Sequence, residues 1–301
     1  MRVLFGWLLF AGAVFSIMAG GIFLSLALGY ACVMGGREFI AMARKKGINP
    51  SSRIVLGMII AFFVVAALPD IPQWMIGIKV PDSFSIQHFP LLLTIGIYLS
   101  FFRLLFRNDN PPATIADIAS TILGFIYVGW LPSHLVLLRN LTPAGMPITD
   151  NPLQQPGLAY VWATLFIIWG TDVFAYYVGK KLGKHLLYPQ ISPKKTLEGA
   201  IGGFCVAVIF AISIALLADH VLFACHPFKF NLWQAPLMGA VVSIAAQLGD
   251  LCESLLKRDA GIKDSGDMIP GHGGFLDRGD SIIISSAVAY YWVNLVVLGN
   301  I

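Results

Sequence analysis

Residues 249–280 read GDLCESLLKRDAGIKDSGDMIPGHGGFLDRGD. This run crowds carboxylates (Asp250, Glu253, Asp259, Asp264, Asp267, Asp277, Asp280) against cations (Lys257, Arg258, Lys263, Arg278) and His272. The 301-residue chain around it is 57% hydrophobic and only 12% charged. A soluble domain carries about 45–50% apolar and about 25% charged residues. The composition therefore describes a membrane protein, and 249–280 is a polar island between apolar segments. So many opposite charges held beside a bilayer point to a site that handles anions with the help of a metal.

Outward from this island the chain is a series of spans. Val3–Met34 is almost free of charge. As one helix it would measure about 48 Å, longer than the roughly 30 Å hydrocarbon core. Gly20-Gly21 is the natural break, giving two short spans or a span plus a re-entrant piece. A cleaved signal peptide would have a shorter apolar core with a polar domain behind it. Further apolar runs near 54–68, 89–106, 113–131, 158–179, 199–218, 234–256 and 281–298 are each long enough to cross. The expected fold is an all-α, polytopic helix bundle of eight or nine transmembrane helices. The Pro-rich stretch 143–156 reads as a solvated connector.

Charge fixes the orientation. Lys and Arg concentrate in the loops at 37–53, 103–111, 180–198 and 257–280. The loops at 70–88, 132–157 and 219–233 hold few, and rich and poor loops alternate strictly. Under the positive-inside rule the 180–198 and 257–280 segments face the cytoplasm and the C-terminus lies outside. A net charge of +4 is too small to suggest a nucleic-acid partner. The four cysteines form no CxxC pair, which argues against a disulfide framework or a zinc site.

Three places carry chemistry. Asp172 lies inside an apolar span, where a carboxylate must face the bundle interior or water. The string Ser192-Pro-Lys194-Lys195-Thr196-Leu-Glu198-Gly199 offers two hydroxyls and two ammonium groups. Thr196 is placed to open a helix whose first amides favour an anion, so the string fits a phosphate cradle. In the island, Asp250, Ser254 and Lys257 share one helix face. Lys257, Arg258 and Lys263 supply three cations, and Pro270-Gly-His272-Gly-Gly274 is a turn that lets backbone approach a ligand. An oxygen-rich pocket of two or more Asp suits Mg²⁺, which binds through one or two carboxylates plus substrate phosphates. Plainer readings stand beside these: Asp280 as a helix cap, His272 as a loop residue, Asp264 and Asp267 as solvated charges. A transporter of an anionic solute is the rival from another class, because charges in spans also mark translocation paths. It would be expected to show repeated, interrupted helices, which the sequence does not display.

The run Ser254-Leu-Leu-Lys257-Arg258, then Lys263-Asp264, then Ile269-Pro270-Gly-His272-Gly273-Gly274-Phe-Leu-Asp277-Arg278-Gly-Asp280 resembles the signature of the phosphatidate cytidylyltransferases, the CDP-diacylglycerol synthases. Gly279 departs from it, standing where the family has an apolar residue or Thr. The Asp172 segment and Ser192–Gly199 are also similar, so the resemblance covers the C-terminal 45% or so of the chain. It divides the chain into an N-terminal set of membrane helices, 1–160, that looks idiosyncratic, and a C-terminal catalytic membrane domain, 161–301.

The resemblance implies that CTP and phosphatidate react to CDP-diacylglycerol and pyrophosphate. It implies Mg²⁺ on Asp250 and Asp277, with room for a second cation. Lys257, Arg258, Lys263 and Arg278 would neutralise phosphate charge. Ser192, Lys194, Lys195 and Thr196 would line the same polar chamber, with Asp172, Ser254 and His272 contributing to substrate binding. A homodimer in the cell's inner (plasma) membrane is also implied. A cytidylyltransferase acting on an ether-linked isoprenoid lipid phosphate is the near alternative.

Overall fold

The computed structural model describes residues 2–71, 75, 77–78, 80–81, 83–106, 112–143, 151–217, 231–269 and 273–299. Ten helices and one small hairpin account for the regular structure discussed below. Helix α1 (Arg2–Ala19) is followed at once by α2 (Gly21–Lys45). The break falls on Gly20, whose φ of 66° is a left-handed conformation that glycine adopts without penalty. Helices α3 (Ser52–Ala67), α4 (Phe84–Leu105) and α5 (Ile115–Phe125) follow. A π turn, Ile126–Trp130, joins α5 to α6 (Leu131–Arg139). Then come α7 (Gly157–Leu182), the hairpin β1 (Leu186–Tyr188) and β2 (Ser192–Thr196), α8 (Leu197–Leu217), α9 (Gln234–Asp259) and α10 (Leu276–Tyr291). A second π turn, Trp292–Val297, extends α10.

Among the described residues, eight helical segments are long and apolar enough to cross a membrane, and Gly6–Ala19 is a shorter apolar helix. The expected all-α polytopic architecture is thus observed. Apolar side chains such as Phe101, Phe102, Leu105 and Ile209 point outward from these helices, as lipid-facing surface requires.

The chain divides into two compact units, Met1–Leu137 with Leu256–Gly279, and Leu138–Leu255 with Asp280–Ile301. The first has a core of α2–α6 in which Phe62 packs on Phe89 and Phe125, and Phe89 on His134. Small residues let these helices close up: a Cβ at Gly129 would lie 3.1 Å from the Ile59 Cα. A capping box starts α5, with Thr114 and Asp117 each accepting from the other's backbone amide. Asp117 also accepts from Asn49 N at 2.5 Å, which fixes the turn before α3.

The span expected to end near residue 131 runs on to Arg139. Pro132 has no N–H to donate. The π turn just before it absorbs that break, with the Leu131 amide bonding Ile126 O, so the helix resumes. Arg139 is fully buried and donates to Gln155 Oε1 and Pro152 O, both at 2.6 Å. Part of the connector 143–156 is therefore anchored, and its residues 144–150 lie outside the described residues.

Candidate active site

The second unit builds a cavity of about 540 Å³ from three helices and the hairpin, with α8 contributing Gly199 and Ala200. Helix α7 contributes Asp172, Tyr176, Gly179 and Lys180, spaced so that they share one face. The hairpin contributes Lys194, Lys195 and Thr196, and α9 contributes Gln247 and Asp250. The volume is within the roughly 300–1,000 Å³ usual for small-molecule sites.

Local sequence explains why these groups converge. Leu186 pairs with Thr196 and Tyr188 with Ser192 in the antiparallel hairpin. Glu198 folds back over its base, accepting from Lys184 N at 3.0 Å and contacting His185 Nδ1 at 2.6 Å. Helix α8 begins at Leu197 and Thr196 caps it, its Oγ1 accepting from Gly199 N at 3.1 Å. The expectation that Thr196 opens this helix holds. However, its hydroxyl already takes one of the amides that would have faced an anion.

Glycines bring α7 and α8 together. A Cβ at Gly199 would lie 2.6 Å from Ala175 O, and one at Gly203 2.6 Å from Thr171 O. The two backbones are in contact, so Thr196 sits beside Gly179 across a gap that only glycine leaves. On α9, Ser243, Gln247, Asp250 and Ser254 form a polar stripe. Ser243 accepts from Thr171 Oγ1 at 3.0 Å and Gln247 donates to Ala200 O at 3.3 Å. Gln247 was missed from sequence, although its spacing from Asp250 carries the signal.

The electrostatics of this cavity are acidic in its depth and basic at the hairpin. Asp250 Oδ2 pairs with Lys195 Nζ at 2.5 Å and its Oδ1 accepts from Ser254 Oγ at 3.4 Å. Asp172 lies near the charges of Asp280, Asp250 and Lys195, and accepts from Ser281 Oγ at 3.4 Å. Asp172 thus feels two other carboxylates and one ammonium group of the same unit. Among the described residues no group of three or more His, Cys, Asp or Glu is arranged to hold a metal ion. Mg²⁺ needs none, since it keeps waters and uses one or two carboxylates with substrate phosphates. Asp250, on the cavity wall, offers one such carboxylate.

The first unit holds the rest of the signature. Asp277 stands in the first turn of α10, not before it, because that helix starts at Leu276. Its Oδ1 pairs with Lys257 Nζ at 2.7 Å. Its Oδ2 accepts from Ser265 N and Gly274 N, both at 2.8 Å, and shares the Ser265 hydroxyl, 2.9 Å away, with a second carboxylate. A carboxylate has about four lone-pair sites, so a metal on Asp277 must displace a present donor. Asp280 lies a turn inside the helix, which removes its reading as the cap. Arg258 donates to Ile262 O at 3.1 Å, closing the turn after α9. Lys263 and Arg278 are exposed, as are Asp264 and Asp267. His272 lies outside the described residues. At Gly279 a Cβ would meet nothing within 4 Å, so the departure there has no steric origin.

One residue in this unit escaped the sequence reading altogether. Glu38, on α2, is 5% exposed. It accepts from Phe275 N at 2.9 Å, Leu276 N at 3.0 Å and Ser265 Oγ at 3.0 Å.

Residues 1–296 match the sequence model of the cytidylyltransferase family. The chain belongs to that family. It is 35% identical over 303 residues to a phosphatidate cytidylyltransferase of Synechocystis, covering 95% of this chain and 94% of that one. The phosphatidate cytidylyltransferase of Bacillus subtilis is 34% identical over 74% of this chain and 76% of its own length. A chloroplastic phosphatidate cytidylyltransferase 4 of Arabidopsis thaliana is 34% identical over 92% and 68%. The likeness thus extends well beyond the C-terminal 45% where the motifs lie. The N-terminal helices, which look idiosyncratic by motif, belong to the family's common sequence, and Glu38 gives one of them a direct link to the signature.

Proposed function

We propose that this protein transfers the cytidylyl group of CTP to phosphatidate, giving CDP-diacylglycerol and pyrophosphate. The observation that carries the reading is the second-unit cavity, where Lys180, Lys194 and Lys195 face Asp172 and Asp250 at the end of membrane-crossing helices. A phosphate oxygen of the lipid attacks the α-phosphorus of CTP. The new P–O bond forms as the α–β bridge breaks, and pyrophosphate leaves with its electron pair. The nucleophile is already an anion, so no activated Ser or Cys is needed. The difficulty is repulsion between two polyanions, and cations placed where charge develops relieve it. Lys194 and Lys195 serve the triphosphate, and Lys180 lies on the same cavity. By the family resemblance Lys257, Arg258, Lys263 and Arg278 would supply further positive charge, and Ser192, Ser254 and His272 would contribute to substrate binding.

The family resemblance would put Mg²⁺ on Asp250 and Asp277, the latter by exchanging a present donor, with room for a second cation. When bound, the ion would neutralise charge on the phosphates and orient them. The diacyl tails never leave the membrane, which accounts for a site at the ends of spans. The site faces the cytoplasm of the cell's inner (plasma) membrane, a reading supported by the basic loops 180–198 and 257–280. The homodimer rests on the family resemblance.

Detergent-purified protein incubated with α-labelled CTP, phosphatidate and Mg²⁺ is expected to yield a labelled lipid and pyrophosphate. Absence of both products overturns the proposal. An ether-linked isoprenoid lipid phosphate in a parallel arm should be the poorer substrate.

A further inference from the structure

We infer that Glu38 is a positioning residue for this reaction, fixing the 265–277 segment and through it the Lys257–Asp277 pair. The inference rests on the reaction proposed above. Glu38 and this segment are more than two hundred residues apart in sequence, yet the carboxylate fills the space beneath the turn. Its Oε1 takes the Phe275 amide and its Oε2 takes the Leu276 amide and the Ser265 hydroxyl. Two of these donors are the free amides at the start of α10, which otherwise lack partners and favour a negative charge. The third is the Ser265 hydroxyl, whose oxygen also lies 2.9 Å from Asp277 Oδ2, so its one proton is shared between the two carboxylates; the Ser265 amide donates to Asp277 Oδ2 at 2.8 Å. A single serine thus stands between the Glu38 and Asp277 carboxylates.

The turn is moulded to this arrangement. A Cβ on Gly274 would lie 2.5 Å from Glu38 Oε2, and one on Gly266 2.8 Å from Oε1. No side chain other than hydrogen fits between the turn and the carboxylate. Glu38 is buried among its donors, so it does not touch substrate itself. It acts through Ser265 and the α10 amides on Asp277, whose side chain is 9% exposed and holds Lys257.

Asp117 provides the internal control. It too is a buried carboxylate of the first unit, 6% exposed, and accepts from Asn49 N and Thr114 N. None of those partners belongs to the signature. A carboxylate that merely holds helices together should behave like Asp117, whereas a positioning group should change turnover.

The test compares Glu38→Gln, Ser265→Ala, their double variant and Asp117→Asn in the full-length purified protein. The measurements are kcat, KM for CTP and thermal unfolding. Gln keeps the shape but turns an amide donor towards a backbone donor. Expected are losses of about 10- to 100-fold in kcat for E38Q, with KM for CTP changed less than about threefold. S265A should show the same pattern, and the double variant should be no slower than the slower single, because both break one connection. D117N should unfold at lower temperature with kcat per folded molecule unchanged. If E38Q does not fold, S265A alone must still show the kcat loss. Wild-type kcat in S265A, independent losses in the double variant, or an equal kcat loss in D117N overturns the positioning role. A wild-type protein that makes no CDP-lipid overturns the reaction and this role together, whereas an active wild type with unaffected variants overturns this role alone.

Discussion

Asp277 in the first unit and Asp250 in the second are the two carboxylates the family resemblance assigns to a metal, and they live in opposite surroundings. Asp277 is enclosed, with a lysine on one oxygen and two amides and a shared hydroxyl on the other. Asp250 borders a cavity, and its lysine partner sits on a hairpin that lines the same space. Pre-set hydrogen bonds hold a group in one geometry, which suits a residue whose orientation matters in the transition state. An ion pair on the edge of a cavity suits a residue that must exchange partners when a ligand arrives. The same amino acid is thus used as a fixed reference in one unit and as an adjustable contact in the other.

Substitutions can break this contrast. The largest effect is expected for Asp277→Asn: turnover per folded molecule should fall about 100- to 1,000-fold, with insertion and helical content retained by circular dichroism. Near-normal turnover would remove Asp277 from the site. Lys195→Met should leave Asp250 without its ammonium partner and lower kcat/KM for CTP about 10- to 100-fold, as loss of a hydrogen bond to a charged group of about 1.5–3 kcal/mol implies. If the drop appeared for phosphatidate alone, the hairpin would serve the lipid and not the nucleotide. Thr196→Ala removes the cap of α8 and should cost about 1 kcal/mol of stability, measured by thermal unfolding. Gly279→Ala is the mildest: with open space at its Cβ, it should stabilise α10 by a few tenths to about 1 kcal/mol and leave activity unchanged.

Much of this contrast could be read from the chain, and its limits have physical causes. The spans were legible because hydropathy over about twenty residues is a local property, and Gly20-Gly21 marked the break because only backbone freedom was at issue. Thr196 was recognisable as a helix opener from its immediate neighbours. Arg139 was not legible as a buried residue, because Pro132 reads as a stop and a π turn leaves no sequence mark. Glu38 was hidden for a different reason. Beside Arg37 and ahead of Arg44 it looks like one more charge at a span's end, and its partners 265, 275 and 276 become neighbours only in the folded molecule. Asp280 was read as a cap because the apolar run begins at Ser281, whereas α10 starts earlier, on the amides that Glu38 satisfies.

The glycine contacts between α7 and α8 give the cavity two sides of unequal stiffness. Where Gly199 and Gly203 rest directly on the carbonyls of Ala175 and Thr171, no side chains remain to be compressed or rearranged. That side behaves as an anvil. The hairpin on the same cavity carries lysines with long, rotatable arms, so an anion entering there would be met by moving ammonium groups on one wall and closely packed backbone on another.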